Sequence, residues 1–373
     1  MSLVYQYIDT NEGLKQACEQ LIQAPSIAVD TEFVRVDTFY PIPGLVQLAA
    51  AGDTFLVDPL TIDDWQPLQI LLTDPDTLKV MHACSEDLEL FQHWLELRPT
   101  PIADTQIAAA FVDMGLSPGY QSLVLDLLGE TVDKGETRSD WLQRPLRDSQ
   151  CHYAAMDVEH LMQCYDMLVQ RLKDKGVWQW FLQDMQRLAQ PKLPIAADMA
   201  YAQMKNAWRL QGKAVGRLRA LAAWREEVAR SENRPKNFVV KDTSLIEMAR
   251  TNPTDLAELG QCQDLRPSSL RRYGKQWLSI MAVSSEVLPG VPQPLSKNEN
   301  RDYKRLHKVI TDQAEKAAIQ VQLMGRKKEL LELFEGFRQK QPFSLPNNWK
   351  GWREEFLAAP MAKEYNQLQE TNS

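Results

Sequence analysis

Two carboxylates one residue apart, Asp30 and Glu32, stand in the run Ile27-Ala28-Val29-Asp30-Thr31-Glu32-Phe33. The run is apolar and partly β-branched, which predicts a buried strand. Alternate residues of a strand share a face, so Asp30 and Glu32 project side by side out of an apolar layer. Like charges held there repel one another, and a hard divalent cation such as Mg²⁺ relieves both. The same pattern also suits a surface strand with its polar face in water, so the metal reading needs partners elsewhere.

Two later segments offer them. Lys79-Val80-Met81-His82-Ala83-Cys84-Ser85-Glu86-Asp87-Leu88-Glu89-Leu90-Phe91 reads as a short strand running into a helix, with Ser85 as its N-cap. Glu86, Asp87 and Glu89 are each candidates for a further ligand, or acids that complement the helix dipole. Gln150-Cys151-His152-Tyr153-Ala154-Ala155-Met156-Asp157-Val158 lies in a predicted helix continuing towards Leu172. Tyr153 and Asp157 are four residues apart and share one side of it.

Taken in order, these pieces resemble the DEDDy branch of the 3′→5′ exonucleases, and within it the ribonuclease D family. The likeness rests on Asp30-Thr31-Glu32-Phe33-Val34-Arg35 with Phe39-Tyr40-Pro41, and on His82-Ala83-x-x-Glu86-Asp87-Leu88. It extends through Asp140-Trp141-x-x-Arg144-Pro145-Leu146 and Gln150-x-x-Tyr153-Ala154-Ala155-x-Asp157-Val158. The resemblance implies that Asp30, Glu32, Asp87 and Asp157 are metal ligands, with Asp30 bridging, and that Tyr153 is a catalytic hydroxyl. The implied cofactors are two divalent ions, Mg²⁺ or Mn²⁺. Phosphodiester hydrolysis puts negative charge on the attacking water, the phosphoryl oxygens and the leaving 3′ oxygen, and two ions about 4 Å apart can serve both ends. Tyrosine ordinarily titrates near pH 10, so Tyr153 is expected to orient water rather than act as a strong base.

A sister branch carries His five residues before its last Asp, and His152 has that spacing from Asp157. On a helix, five residues turn His152 roughly 140° from Asp157, whereas Tyr153 is only about 40° away. The tyrosine assignment is therefore preferred. Asp58, before Pro59, reads as a turn residue, and Asp104 as a helix N-cap. Trp141 and Arg144-Pro145-Leu146 are expected either to shape the rim of the site or to pack. Phe33 is a candidate substrate-binding residue that could stack on the terminal base, or else a core residue.

Charge divides the chain. Residues 1–200 carry 13 Lys and Arg against 30 Asp and Glu, a net of −17. The remainder carries 29 against 20, a net of +9, which together gives the overall −8. A basic second half can attract RNA even though the whole is acidic. Five cysteines without a C-x-x-C pair argue against zinc and against a disulfide framework. No apolar run approaches a membrane span, and Met1-Ser2-Leu3-Val4-Tyr5 lacks a basic segment followed by an apolar one. The expectation is a cytoplasmic monomer.

Prolines in Ala189-Gln190-Pro191-Lys192-Leu193-Pro194 suggest a boundary, and a second lies in Leu288-Pro289-Gly290-Val291-Pro292-Gln293-Pro294. Between them, Asn206-Ala207-Trp208-Arg209, Leu218-x-x-Leu221-x-x-Trp224-Arg225 and Gly274-x-x-Trp277-Leu278 resemble an HRDC domain, a small helical nucleic-acid-binding module. The expected layout is an exonuclease domain over 1–190, an HRDC domain over 203–285 and a second HRDC-like domain over 296–370. Strands near 26–34, 45–51 and 54–58 have short connections and predict antiparallel pairing, with a parallel strand near 78–82 added through a helix. That order fits the ribonuclease H-like α/β fold that the resemblance implies, with a mixed sheet and flanking helices, followed by two all-α units. The expected activity is metal-dependent 3′→5′ trimming of precursor tRNA and other structured RNA, releasing 5′-mononucleotides. The alternatives are a DNA-directed exonuclease and a non-catalytic RNA-binding protein on a nuclease fold.

Overall fold

The computed structural model describes residues 4–132, 135–191, 196–284 and 286–371. Residues 1–3 of the expected start, 192–194 of the first proline boundary, and Ser285 at the end of the expected HRDC segment lie outside the described residues. The chain forms two compact units. Met1–Val34, Ile42–Pro191 and Lys297–Ser373 make the first, and Arg35–Pro41 with Lys192–Ser296 the second.

In the first unit, β1 (Gln6–Ile8) leads to α1 (Asn11–Leu21), β2 (Ser26–Val34), β3 (Ile42–Ala50) and β4 (Asp53–Val57). Then follow α2 (Gln66–Thr73), β5 (Leu78–Met81), α3 (Ser85–Trp94), β6 (Ile102–Asp104) and α4 (Thr105–Phe111). α5 (Tyr120–Leu128), α6 (Asp148–Glu159), α7 (Leu161–Asp174) and α8 (Trp178–Ala189) complete this stretch. The sheet order is β1-β4-β3-β2-β5-β6. β2, β3 and β4 pair antiparallel, while β5 runs parallel to β2. The expected mixed sheet is present, with two additions at its edges. β1 and β6 are three residues each, too short to show an alternation in sequence.

The period of two along β2 divides its side chains between two cores. Ile27 and Val29 join Val46, Leu48, Phe55 and Val57 on one face, packed by Leu14, Leu71, Leu88 and Phe91 from the helices. Ala28, Asp30 and Glu32 point to the other face, where Leu45 and Leu56 meet Trp141, Tyr153, Ala154 and Ala155. Alanines let α6 lie close to the sheet. Gly44 does the same for the loop before it, since a Cβ there would fall 2.7 Å from Trp141 Cβ.

Two local expectations are corrected. Ser85 is the first helical residue of α3 rather than its cap, because Ala83 takes a left-handed φ of 54° and Cys84 occupies the cap position without a side-chain bond. The helix expected to run on towards Leu172 breaks at His160, where the Tyr120 hydroxyl accepts the His160 N–H at 3.2 Å and donates to Met156 O at 3.1 Å.

The second unit is helical: α9 (Lys213–Ser231), α10 (Lys236–Val239), α11 (Asp242–Thr251), α12 (Leu256–Leu259) and α13 (Pro267–Val283). Leu218, Leu221, Val239, Leu245, Leu259 and Trp277 form its core, as their helical spacing predicts. The Phe39 and Tyr40 N–H groups donate to Asn233 Oδ1 at 3.0 and 2.9 Å, tying Arg35–Pro41 into this unit.

The chain then returns to the first unit as α14 (Lys297–Lys316), α15 (Val321–Met324), α16 (Lys327–Arg338) and α17 (Trp352–Thr371). Trp352 stacks on Trp180 of α8, with ring centroids 4.9 Å apart, and its Nε1 donates to Asp184 Oδ1 at 3.1 Å. Arg353 grips Asp184 through two bonds of 2.6 Å. All five cysteines are unpaired and buried. Among the described residues no helix is long and apolar enough to cross a membrane.

Candidate active site

Asp30 and Glu32 lie half-buried on the α6 face of β2, and α6 lays the buried Tyr153 and Asp157 over that face. Helical period explains the pairing. Four residues bring Tyr153 and Asp157 onto one side, where the tyrosine hydroxyl holds down the pKa of the Asp157 carboxylate. The intervening turn leaves His152 exposed, as the angular argument predicts.

The third segment contributes one acid of its three. Asp87 is buried at 7 % exposure, whereas Glu86 and Glu89 are exposed. The turn into α3 is held by Asp104, whose carboxylate accepts the Ala83 and Cys84 N–H groups at 3.1 and 3.0 Å. The same carboxylate accepts from Gln106 and Ile107, so Asp104 is the N-cap that the sequence suggests, with a second task.

Asp30 and Glu32 both feel the charges of Asp87 and Asp157. Burial raises the Asp30 pKa well above the ordinary carboxylate value, and the charges of Asp87, Asp157 and Glu32 raise it further. Burial, followed by Asp157 and Asp87, pushes Glu32 up to about 9. Burial raises Asp157 to about 7, opposed by the bond from Tyr153. Burial raises Asp87 as well, but only to about 6, because the hydroxyl of Thr31 donates to it. Tyr153 is itself raised, by burial and then by the charge of Asp157, so it is a neutral donor at neutral pH.

Among the described residues, no three His, Cys, Asp or Glu side chains are drawn close enough to hold an ion as they stand. The donor set nonetheless fits a hard divalent cation. It is all oxygen, it is buried or half-buried, and its charges disfavour one another in a way a cation would reverse.

Around this cluster Thr31, Thr137 and Gln47 had no role legible in the sequence, whereas Asp58, Arg144, Trp141 and Phe33 were singled out by it. Thr31 lies between Asp30 and Glu32 and bonds Asp87 from the opposite face of β2. Thr137 Oγ1 is 3.4 Å from the Tyr153 hydroxyl. Gln47, opposite Asp30 in register, is fully buried with neither amide atom hydrogen-bonded. Asp58 is a turn residue, accepting the Leu60 N–H at 2.9 Å, and also the anchor of Arg144. Arg144 bonds both Asp58 oxygens at 2.6 Å and the Gly44, Trp141 and Gln143 carbonyls at 2.7–2.9 Å. This holds Trp141 against Tyr153, with ring centroids 6.2 Å apart. Phe33 is half-buried beside a register shift between Glu32 and Phe33, and is not a core residue.

The 3′-5′ exonuclease family model matches residues 5–173, and the HRDC domain model matches residues 215–281. Ribonuclease D of Pseudomonas paraeruginosa is 40% identical over 357 residues, covering 94% of each chain. Ribonuclease D of Escherichia coli is 37% identical, covering 98% of this chain and 99% of that one. The crystal structure of Escherichia coli RNase D, described as an exoribonuclease involved in structured RNA processing, superposes with a TM-score of 0.90. It is 34% identical and covers 98% of this chain and 99% of that one. The chain belongs to the ribonuclease D family. It is a 3′→5′ exoribonuclease with an HRDC domain, on the α/β fold of the ribonuclease H-like exonucleases. Ribonuclease D relatives align across nearly the whole chain, so both the exonuclease segment and the helical segments after it lie within the matched length.

Proposed function

We propose that this ribonuclease D family member trims the 3′ ends of precursor tRNAs and other structured RNAs, releasing 5′-mononucleotides. In this reading Asp30, Glu32, Asp87 and Asp157 hold two divalent ions, Mg²⁺ or Mn²⁺, and Tyr153 is the catalytic hydroxyl. The observation that carries it is that Asp30 and Glu32 on β2 share a face with Tyr153 and Asp157 on α6, while the buried Asp87 is tied to the same strand through Thr31. Bound there, the ions would activate the attacking water and stabilise the leaving 3′ oxygen. Tyr153, a neutral hydroxyl beside Asp157, is suited to orient that water rather than remove its proton. Trp141, locked by Arg144, keeps the tyrosine ring in place. Phe33, half-buried at the end of the acidic strand, is available to stack on the terminal base.

The reading also divides the chain into an exonuclease domain (1–190), an HRDC domain (203–285) and a second HRDC-like domain (296–370), acting as a cytoplasmic monomer. The net of +9 beyond residue 200 supports attraction of the RNA backbone by the helical half. The test is to incubate purified protein with 3′-extended tRNA and with matched single-stranded DNA, with and without divalent metal, alongside Asp30→Asn. The expected result is metal-dependent release of 5′-mononucleotides from the RNA and none from the variant. Preferential degradation of the DNA would make the chain a DNA exonuclease. Binding of RNA without cleavage under any metal would make it a non-catalytic RNA-binding protein.

A further inference from the structure

We propose that Thr31 is a positioning residue of this site, setting the orientation of Asp87 from the opposite side of the strand that carries Asp30 and Glu32. The inference rests on the reading that Asp87 is a metal ligand. β2 alternates, so its two acids face α6 while Thr31 faces the layer that contains α3. Thr31 and Asp87 are 6 % and 7 % exposed, 56 residues apart in the chain, and joined by a hydrogen bond from the Thr31 hydroxyl to Asp87 Oδ1.

The neighbourhood explains why a hydroxyl stands there. The other inward residues on this side of β2 are Ile27 and Val29, and a valine at position 31 would match their volume and strand preference. A buried hydroxyl is tolerable only with a partner, and Asp87 is the partner the fold supplies. Asp104 fixes the backbone entering α3, but it does not fix the side-chain torsions of Asp87, about one turn further on. Thr31 does so, with a β-branched side chain whose own rotamer is restricted. One strand therefore presents two acids directly and a third through a hydrogen bond. The spacing of Asp87 from Asp30 is then set by a single residue step of β2 instead of by the packing of α3 alone. Partners that orient ligating carboxylates in this way are worth roughly 10- to 100-fold in metal affinity or activity.

The experiment compares Thr31→Val, which removes the hydroxyl and keeps the shape, with Thr31→Ser, which keeps the hydroxyl, and with Asp87→Asn. Three quantities are measured on the full chain: Mn²⁺ binding to metal-free protein by calorimetry, kcat and KM on 3′-extended RNA, and the thermal midpoint. Thr31→Val is expected to lose roughly 10- to 100-fold in Mn²⁺ affinity or kcat, with KM for RNA unchanged, and Thr31→Ser to recover most of the loss. Wild-type Mn²⁺ binding and kcat in Thr31→Val, with Asp87→Asn inactive, would overturn the inference and leave the site reading standing. A fall in thermal midpoint alone, with normal kcat per folded molecule, would overturn it in favour of a packing role. An active Asp87→Asn would overturn the site reading itself, and the inference with it.

Discussion

Arg144→Met is the perturbation that most directly tests how the loop over the site is held. The guanidinium makes two 2.6 Å bonds to Asp58 and reaches three backbone carbonyls, while Asp58 is only 1 % exposed. Removing one partner of a buried ion pair costs about 3–5 kcal/mol, because the other charge stays buried. Here Asp58 keeps the Tyr7 hydroxyl at 2.7 Å and the Leu60 N–H, and the Arg144 side chain is 22% exposed, which places the loss near the low end, about 3 kcal/mol. Asp58→Asn in the same background removes the stranded charge, so the double variant should be less destabilised than the sum of the singles, with a coupling of about 1–3 kcal/mol. Urea unfolding of the four proteins measures this. The sign of the pH dependence follows from Asp58. Burial alone would raise its pKa, but the bonds from Arg144 and Tyr7 carry it below the ordinary value. The pair thus stabilises the fold above the unfolded carboxylate pKa, and the gap between wild type and Arg144→Met narrows in acid as Asp58 takes up a proton. Loosening Trp141 from Tyr153 should also lower kcat by about 10-fold or more, as small misplacements do. Additive single effects, within about 0.5 kcal/mol, together with unchanged kcat would refute the reasoning.

Three further outcomes are expected. Tyr153→Phe should lower kcat on the order of 10²-fold, the range for a lost positioning or proton-transfer group, with Mn²⁺ affinity nearly unchanged and the exposed His152→Ala neutral; an inactive His152→Ala beside an active Tyr153→Phe would reverse the assignment. In metal-free protein the site acids hold more protons folded than unfolded, so stability should fall as pH rises from about 4.5 through the values near 6, 7 and 9 of Asp87, Asp157 and Glu32, and the thermal gain from added Mg²⁺ should grow over that range. A metal-induced gain that shrinks with rising pH would sink this account. Trp352→Ala should cost about 3–5 kcal/mol in urea unfolding, the range for a buried aromatic, because it removes the stack on Trp180 and the bond to Asp184; a loss below about 1 kcal/mol would mean that the return of α14–α17 to the first unit does not depend on it.

Features carried by local periodicity were legible in the chain by itself. Alternation along β2 placed Asp30 and Glu32 on one face, and the helical period placed Tyr153 with Asp157 and turned His152 outward. The antiparallel order of β2, β3 and β4 followed from their short connections, and the core of the second unit from its spaced Leu and Trp. Choices among neighbouring acids did not follow. Glu86, Asp87 and Glu89 are equivalent by local pattern; the family resemblance singles out Asp87, and the way α3 meets the sheet buries it and exposes the other two. The same holds for pairs far apart in the chain. Thr31 with Asp87, Asp58 with Arg144 and Trp352 with Asp184 are separated by 56, 86 and 168 residues, and no pattern within an element records which side chain will stand opposite another. Periodicity states which face a residue occupies. The partner on that face is decided by packing, where burial makes each polar group find a donor or acceptor and thereby selects a single arrangement.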